Sequence, residues 1–269
     1  MSKTILITGA TDGLGLATAT ALASAGHHVL IHGRNAEKLA TVHAALADLP
    51  AGGSVRTYQA DLSELKAVHR LAEAVLAGDT KLDVLINNAG VFKLNEPATR
   101  DGLDMRFLVN TLAPYALTKA LLGNMAAAGR VVNLASAAQA PVDWDALTGA
   151  ATLSDNAAYA QSKLALVMWS MQLAEGLPEG PAIIAVNPAS FLASKMVKQA
   201  YGVAGNDLNI GVDVLVRAAL SEEFAHASGR YYDNDRQAFA DPHPFAQDPA
   251  RNQHLVEILE RILTAKTEA

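Results

Sequence analysis

The chain has 269 residues, no cysteine and a formal net charge of −6. Disulfides and thiolate metal sites are excluded, and the lack of any basic block gives nucleic-acid binding no support. Hydrophobic residues make up 51% but aromatics only 5%, which suits small-residue helices packed on a sheet better than an aromatic-rich sandwich.

Short apolar runs alternate with helical patterns along the chain. TILIT (4–8) reads as a strand, and GLGLATATALASAG reads as a helix closed by Gly26. HHVLIH (27–32) is a second strand, followed by a helix over 35–49 with Asn35 as N-cap. VRTYQA (55–60) is a third strand, and 63–78 a helix capped by Ser63 and ended by Gly78. LDVLINNAG (82–90) is a strand running into a polar turn. A long helix is predicted over 101–126, with a kink or short break at Pro114. GRVVNLAS (129–136) is a fifth strand, 157–175 a helix, and PAIIAVNPA (181–189) a sixth strand. A helix over 211–226, a short strand at GRYYDN (229–234) and a last helix over 248–264 complete the pattern.

Strand–helix alternation with Val/Leu/Ile-rich strands predicts an α/β fold. It is a doubly wound, Rossmann-type parallel sheet of about seven strands with helices on both faces. The pattern never resets, so 1–269 reads as one domain. It carries an insertion on the substrate side at 138–156 and an irregular segment at 233–249. The N-terminus, MSKTILITGA, shows no charged leader followed by a long apolar stretch, and no apolar run is long enough to span a membrane. The expectation is a cytoplasmic protein without nucleic-acid or membrane partners. His27, His28, His32, His43, His69, His226, His243 and His254 show no ligand spacing, so no metal is expected and they read as structural or exposed. Trp144, Tyr231, Tyr232 and Phe239 are candidates either for an apolar substrate pocket or for ordinary packing.

Two short stretches carry chemistry. TGATDGLG (8–15) follows the first strand, with Gly9, Gly13 and Gly15 spaced G-x3-G-x-G and Thr11, Asp12 and Leu14 between them. Glycines there let backbone approach a pyrophosphate, and the next helix aims free N–H groups at the anion. The second strand ends in HGRN, where an acid for a ribose 2′-hydroxyl would be expected. Gly33 stands there instead, followed by Arg34. A guanidinium suits a 2′-phosphate, so NADP(H) is favoured over NAD(H), while Asp12 in the turn argues the other way. YAQSK (159–163) sets Tyr159 and Lys163 one helical turn apart on one face. Taken alone the pair is an ordinary helix surface. In a site it is an acid/base pair: a free phenol titrates near about 10, and a nearby ammonium draws it toward neutrality.

Four stretches in order resemble the short-chain dehydrogenase/reductase family: TGATDGLG, INNAG (86–90), VVNLAS (131–136) and YAQSK. The surroundings AAYAQSKLA, WDAL and SGRYYDN are similar to its retinol dehydrogenase-like branch, with relatives of protochlorophyllide reductase. The resemblance implies Tyr159 as general acid/base, Lys163 as its partner, Ser136 as the hydroxyl orienting the carbonyl, and Asn110 completing a tetrad through water. It also implies that Asp61 and Leu62 flank the adenine, that Asn88, Ala89 and Gly90 line the cofactor, and that Pro188 lies beside the nicotinamide. Tyr159 and Lys163 would contact the cofactor too. Two features depart from the family. Asn187-Pro188-Ala189-Ser190-Phe191 carries an alanine where Pro-Gly is usual, and the insertion lengthens the interval between Ser136 and Tyr159.

The function so implied is an NADP-dependent oxidoreductase that interconverts a carbonyl and an alcohol, with reduction of an apolar ketone or aldehyde favoured. A dinucleotide-binding regulator without turnover, and an isomerase or dehydratase retaining nicotinamide, stay open. A homo-oligomer is a further possibility for the quaternary state.

Overall fold

Ile5, Leu6 and Ile7 of strand β1 (Thr4–Ile7) are wholly buried, and they divide by the two-residue period of a strand. Ile5 and Ile7 join one apolar cluster and Leu6 joins the other. The strand therefore lies at the centre of a sheet covered on both faces. The computed structural model describes residues 1–49, 53–78, 81–99, 102–193, 202 and 205–268.

The N-terminal half alternates β1, α1 (Gly13–Ser24), β2 (His28–Gly33), α2 (Ala36–Ala47), β3 (Val55–Gln59), α3 (Leu65–Leu76) and β4 (Leu82–Asn87). Next come α4 (Met105–Phe107), a π-helical turn (Leu108–Leu112), α5 (Ala113–Leu121), β5 (Met125–Leu134), α6 (Trp144–Thr148) and α7 (Asp155–Glu175). The chain continues through β6 (Ala182–Asn187), α8 (Leu208–Leu220), β7 (Tyr231–Asp233), β8 (Ala238–Ala240) and α9 (Pro249–Glu268). Among the described residues the strands form one eight-stranded sheet, ordered β3-β2-β1-β4-β5-β6-β7-β8, and every pair is parallel except β7–β8. Helices α1, α2 and α8 bury Leu22, Leu39, Val42, Val214 and Leu215 against one face. Helices α3, α5, α7 and α9 bury Leu71, Leu117, Trp169 and Leu259 against the other.

Several boundaries differ from the sequence reading, each for a local reason. The strand count is eight, because three residues at Ala238–Ala240 fold back antiparallel on β7 within the segment read as irregular. The expected helix over 101–126 is divided. Residue 101 lies outside the described residues, α4 starts after the Asp104 cap, and the π-turn at Leu108–Leu112 precedes Pro114, which sits in the first turn of α5. From Met125 the chain is already strand, because Met125 pairs with Leu82 before a register shift brings Arg130 opposite Val84. The insertion 138–156 contains α6, capped by the Asp143 carboxylate. Ser63 is not the cap of α3: Glu64 occupies that position, and the Ser63 hydroxyl donates to Asp61. Asn35 does cap α2, its side chain accepting from Lys38 N–H at 2.8 Å.

The candidate aromatics pack. Tyr232 and Phe239 stack with Phe224 at ring separations of 4.9–5.2 Å, and Trp144 meets Phe245 and His254. Tyr231 alone reaches toward the strand ends, donating its hydroxyl to the Ser136 carbonyl at 3.2 Å.

Candidate active site

The order of strands reverses between β1 and β4, and the carboxyl ends of these two strands open onto a cleft of about 540 Å³. Ligands settle at such a switch point because the connections diverge there. The turn after β1 forms the floor. Asp12 is the N-cap of α1, accepting from Gly13 N–H at 2.9 Å. Gly9 and Gly13 have φ of +65° and +52°, a region that favours glycine. A Cβ on Gly15 would lie 2.3 Å from Asn88 Nδ2, so the tight turn leaves no room for a side chain there. Asn88 Nδ2 donates to the carbonyls of Thr8 and Gly9, while Thr8 Oγ1 accepts from Asn88 and Ala89 N–H. The β4 turn is thus laced to the glycine turn.

At one end, Gly33, Arg34, Asp61 and Leu62 line the cleft. A Cβ at Gly33 would lie 2.6 Å from the Thr11 methyl, so the position expected to carry an acid has no space for one. Lys38 lines the same end, with Nζ 3.8 Å from the Asp12 carboxylate. Below them His32 is buried. Its Nδ1 accepts from Gly9 N–H at 3.2 Å, which places the proton on Nε2, 3.1 Å from the Ala60 carbonyl. Burial pushes this imidazole down to about 4, against the opposing pull of Ala60 and Asp61.

Asn88, Ala89, Gly90, Pro188 and Lys163 line the cleft toward the other end. Lys163 is 4% exposed. Its Nζ donates to the Leu134 carbonyl at 2.7 Å and lies 5.8 Å from the centre of the Tyr159 ring. Burial lowers this ammonium to about 8. Ser136 stands two residues beyond Leu134, half-buried. Its carbonyl accepts from Tyr231 and Gln139, and its hydroxyl accepts from Ala138 N–H at 3.1 Å. Asn110, fully buried in the π-turn, accepts from Val91 N–H and donates to the Val91 carbonyl and to Ser162 Oγ. It ties the loop after β4 to α7, the helix that carries Tyr159.

Arg106 makes a second tie between the same elements. Its guanidinium is 1% exposed and reaches both oxygens of Asp104, Asp155 Oδ1 at 2.5 Å and the Phe92 carbonyl. Asp155 opens α7, and the Phe92 ring lies 4.5 Å from the ring of Tyr159.

The family model described as short chain dehydrogenase matches residues 3–202. The chain belongs to the short-chain dehydrogenase family. This short-chain dehydrogenase is therefore an NAD(P)-dependent oxidoreductase acting on CH–OH groups. It is 30% identical to retinol dehydrogenase 13 of Homo sapiens over 266 residues, spanning 91% of this chain and 80% of that protein. An uncharacterized protein from Mycobacterium paratuberculosis superposes with a TM-score of 0.81 at 26% identity, covering 97% of this chain and 93% of the other. A short-chain dehydrogenase from Burkholderia cenocepacia, solved in complex with NADP, superposes with a TM-score of 0.68 at 26% identity, covering 86% and 95%.

The glycine cradle, the cation pair and the cleft's size fit a nicotinamide dinucleotide. Sequence reasoning missed three residues of this short-chain dehydrogenase's site. Lys38 had a detectable signal, four residues after Arg34 in the first turn of a capped helix. His32 looked like any strand residue, because its partners lie in distant turns. Arg106 had only its charge within an otherwise apolar helix pattern. Among the described residues, no group of His, Asp and Glu could hold a metal ion, and no helix is long and apolar enough to cross a membrane.

Proposed function

We propose that the protein is an NADP-dependent oxidoreductase that interconverts a carbonyl and an alcohol, working chiefly as a reductase of an apolar ketone or aldehyde. We read residues 1–269 as one nucleotide-binding domain. The observation that carries the reading is Lys163: a buried ammonium beside the Tyr159 ring, inside a cleft of nucleotide size. Burying a charge is costly unless it is paired and hydrogen-bonded, and this ammonium meets the Leu134 carbonyl.

In this reading Arg34 and Lys38 take the 2′-phosphate, and Gly33 brings no carboxylate to repel it. The glycine turn and the start of α1 take the pyrophosphate, Asp61 and Leu62 flank the adenine, and Asn88 to Gly90 with Pro188 hold the remainder. Bound NADPH supplies the hydride. Tyr159 gives the proton to the substrate oxygen, and Ser136 donates a hydrogen bond to that oxygen as charge grows on it. Lys163 favours the phenolate that remains and holds the ribose side of the cofactor. Asn110 keeps the β4 loop seated on α7 and completes the tetrad. Phe92 and the half-exposed Phe191 offer apolar walls, and the retinol named in the human relative is an apolar alcohol.

The test is NADPH oxidation across a broad carbonyl panel, with Tyr159→Phe as the control. The expected result is turnover on apolar carbonyls and a loss of at least about a hundredfold in the variant. Equal rates for the variant and its parent would remove Tyr159 as proton donor. Tight NADPH binding without turnover would favour a regulator, and product formation without net cofactor oxidation would favour an isomerase or dehydratase.

A further inference from the structure

The loop after β6 lines the cofactor cleft through Pro188, Ala189, Phe191 and Leu192. Its backbone is unusual. Ala189 has φ of +130° and Phe191 +54°, both in a region that side chains disfavour. Such a conformation persists only where the surroundings impose it. Asn206 holds the Phe191 side, its N–H donating to the Phe191 carbonyl at 2.6 Å and its side chain to the Ser190 carbonyl at 3.0 Å, and the turn between β7 and β8 holds the Ala189 side. Asp235 Oδ1 accepts from Ser190 N–H at 2.8 Å. Asp235 Oδ2 accepts from Ser190 Oγ at 2.6 Å and from Asn187 Nδ2 at 2.9 Å. Its neighbour Asn234 donates to the Pro188 carbonyl at 3.0 Å. The turn therefore grips the chain on both sides of Ala189. Burial would raise the Asp235 carboxyl, but the Ser190 and Asn187 bonds outweigh it and hold the group below the usual carboxylate range.

We propose that Asp235 is a positioning residue for the nicotinamide dinucleotide: it holds the post-β6 loop in the shape that the cleft requires and that Ala189 resists. This rests on the reading of the cleft as a nucleotide site. The three groups that reach the carboxylate are all donors, so only an acceptor-only side chain satisfies them together. Asparagine at 235 would turn an N–H₂ toward a donor. Glycine at 189 would accept the positive φ freely and reduce the demand on Asp235.

The experiment measures the Kd for NADPH by the change in its fluorescence on binding, with apo-protein melting recorded in parallel. The variants are D235A, D235N, A189G and both double variants with A189G. D235A is expected to weaken NADPH binding about tenfold and D235N about threefold to tenfold, and each double variant is compared with A189G alone as its own reference. In the A189G background the loss from either Asp235 change should shrink to threefold or less, whatever the melting temperature does. If D235A does not fold, D235N and its double decide. Unchanged binding in D235N, or a loss of equal size with and without A189G, would overturn the proposal. A parent that bound neither NADPH nor NADH would overturn the nucleotide reading and the proposal with it, whereas a parent that binds with an Asp235 effect indifferent to residue 189 sinks the proposal alone.

Discussion

Lys163 donates to the carbonyl oxygen of Leu134 at 2.7 Å, so the helix bearing Tyr159 is fastened to the end of the strand that delivers Ser136. The ammonium has exchanged water for one carbonyl, and its titration falls from 10.5 to about 8.

That burial has a measurable cost. Below about 8 both folded and unfolded chains carry the charge, and the fold bears the full penalty, about 3 kcal/mol. Between about 8 and 10.5 the folded chain has lost the proton while the unfolded chain keeps it, so stability rises with pH across that window. Lys163→Met removes the penalty and one hydrogen bond worth about 1 kcal/mol. It should be about 1–2 kcal/mol more stable than the parent at pH 7 and lack activity. Urea unfolding of both proteins at pH 7, 9 and 10 checks this. Parallel stability profiles for the two proteins would contradict it.

His32 gives the acid counterpart. Its folded value of about 4 lies below the unfolded 6.5, so its contribution is fully present above 6.5 and is lost as pH falls toward 4. The loss approaches about 3 kcal/mol, and protonation of Nδ1 also removes the acceptor for Gly9 N–H. His32→Gln should flatten this part of the profile and weaken nucleotide binding. The readout is unfolding free energy from pH 7 to pH 4.5, parent against variant. A parent profile as flat as the variant's would rule out the assigned role.

Arg34 and Lys38 should separate the two dinucleotides. Charge-assisted bonds of this kind contribute about 1.5–3 kcal/mol each. Arg34→Ala or Lys38→Ala should therefore raise KM for NADPH about tenfold or more and change KM for NADH less than about twofold. The NADPH preference should also fall with added salt, since Lys38 is half-exposed. Steady-state kinetics with both cofactors at low and moderate ionic strength decide it. Equal losses for both cofactors would place these cations elsewhere in recognition.

The parallel sheet and its glycine turn were legible because strand runs such as TILIT and HHVLIH are short, β-branched and bounded by turn residues. The YAQSK pair stood out only because it follows three other stretches in the order of the family it resembles; alone it is an ordinary helix surface. The division of the 101–126 helix was not. A π-turn adds a residue without changing composition, and what selects it is the seat of Asn110 between Val91 and Ser162. Strand β8 escaped because three residues carry no period, and its pairing is decided by the Phe239 ring packing on Tyr232. Arg106 was hidden because a charge on a helix reads as solvated until its distant partners are known.

The buried guanidinium of Arg106 makes a joint of three stretches that are remote in sequence: the start of α4, the loop carrying Phe92, and the first residue of α7. The Phe92 and Tyr159 rings lie 4.5 Å apart beside that joint. If Tyr159 carries the proton as proposed, the helix that bears it is held at its start by a guanidinium outside the cleft lining. On the proposed mechanism, half-assembled molecules, with this rivet unset, would leave the phenol unaimed.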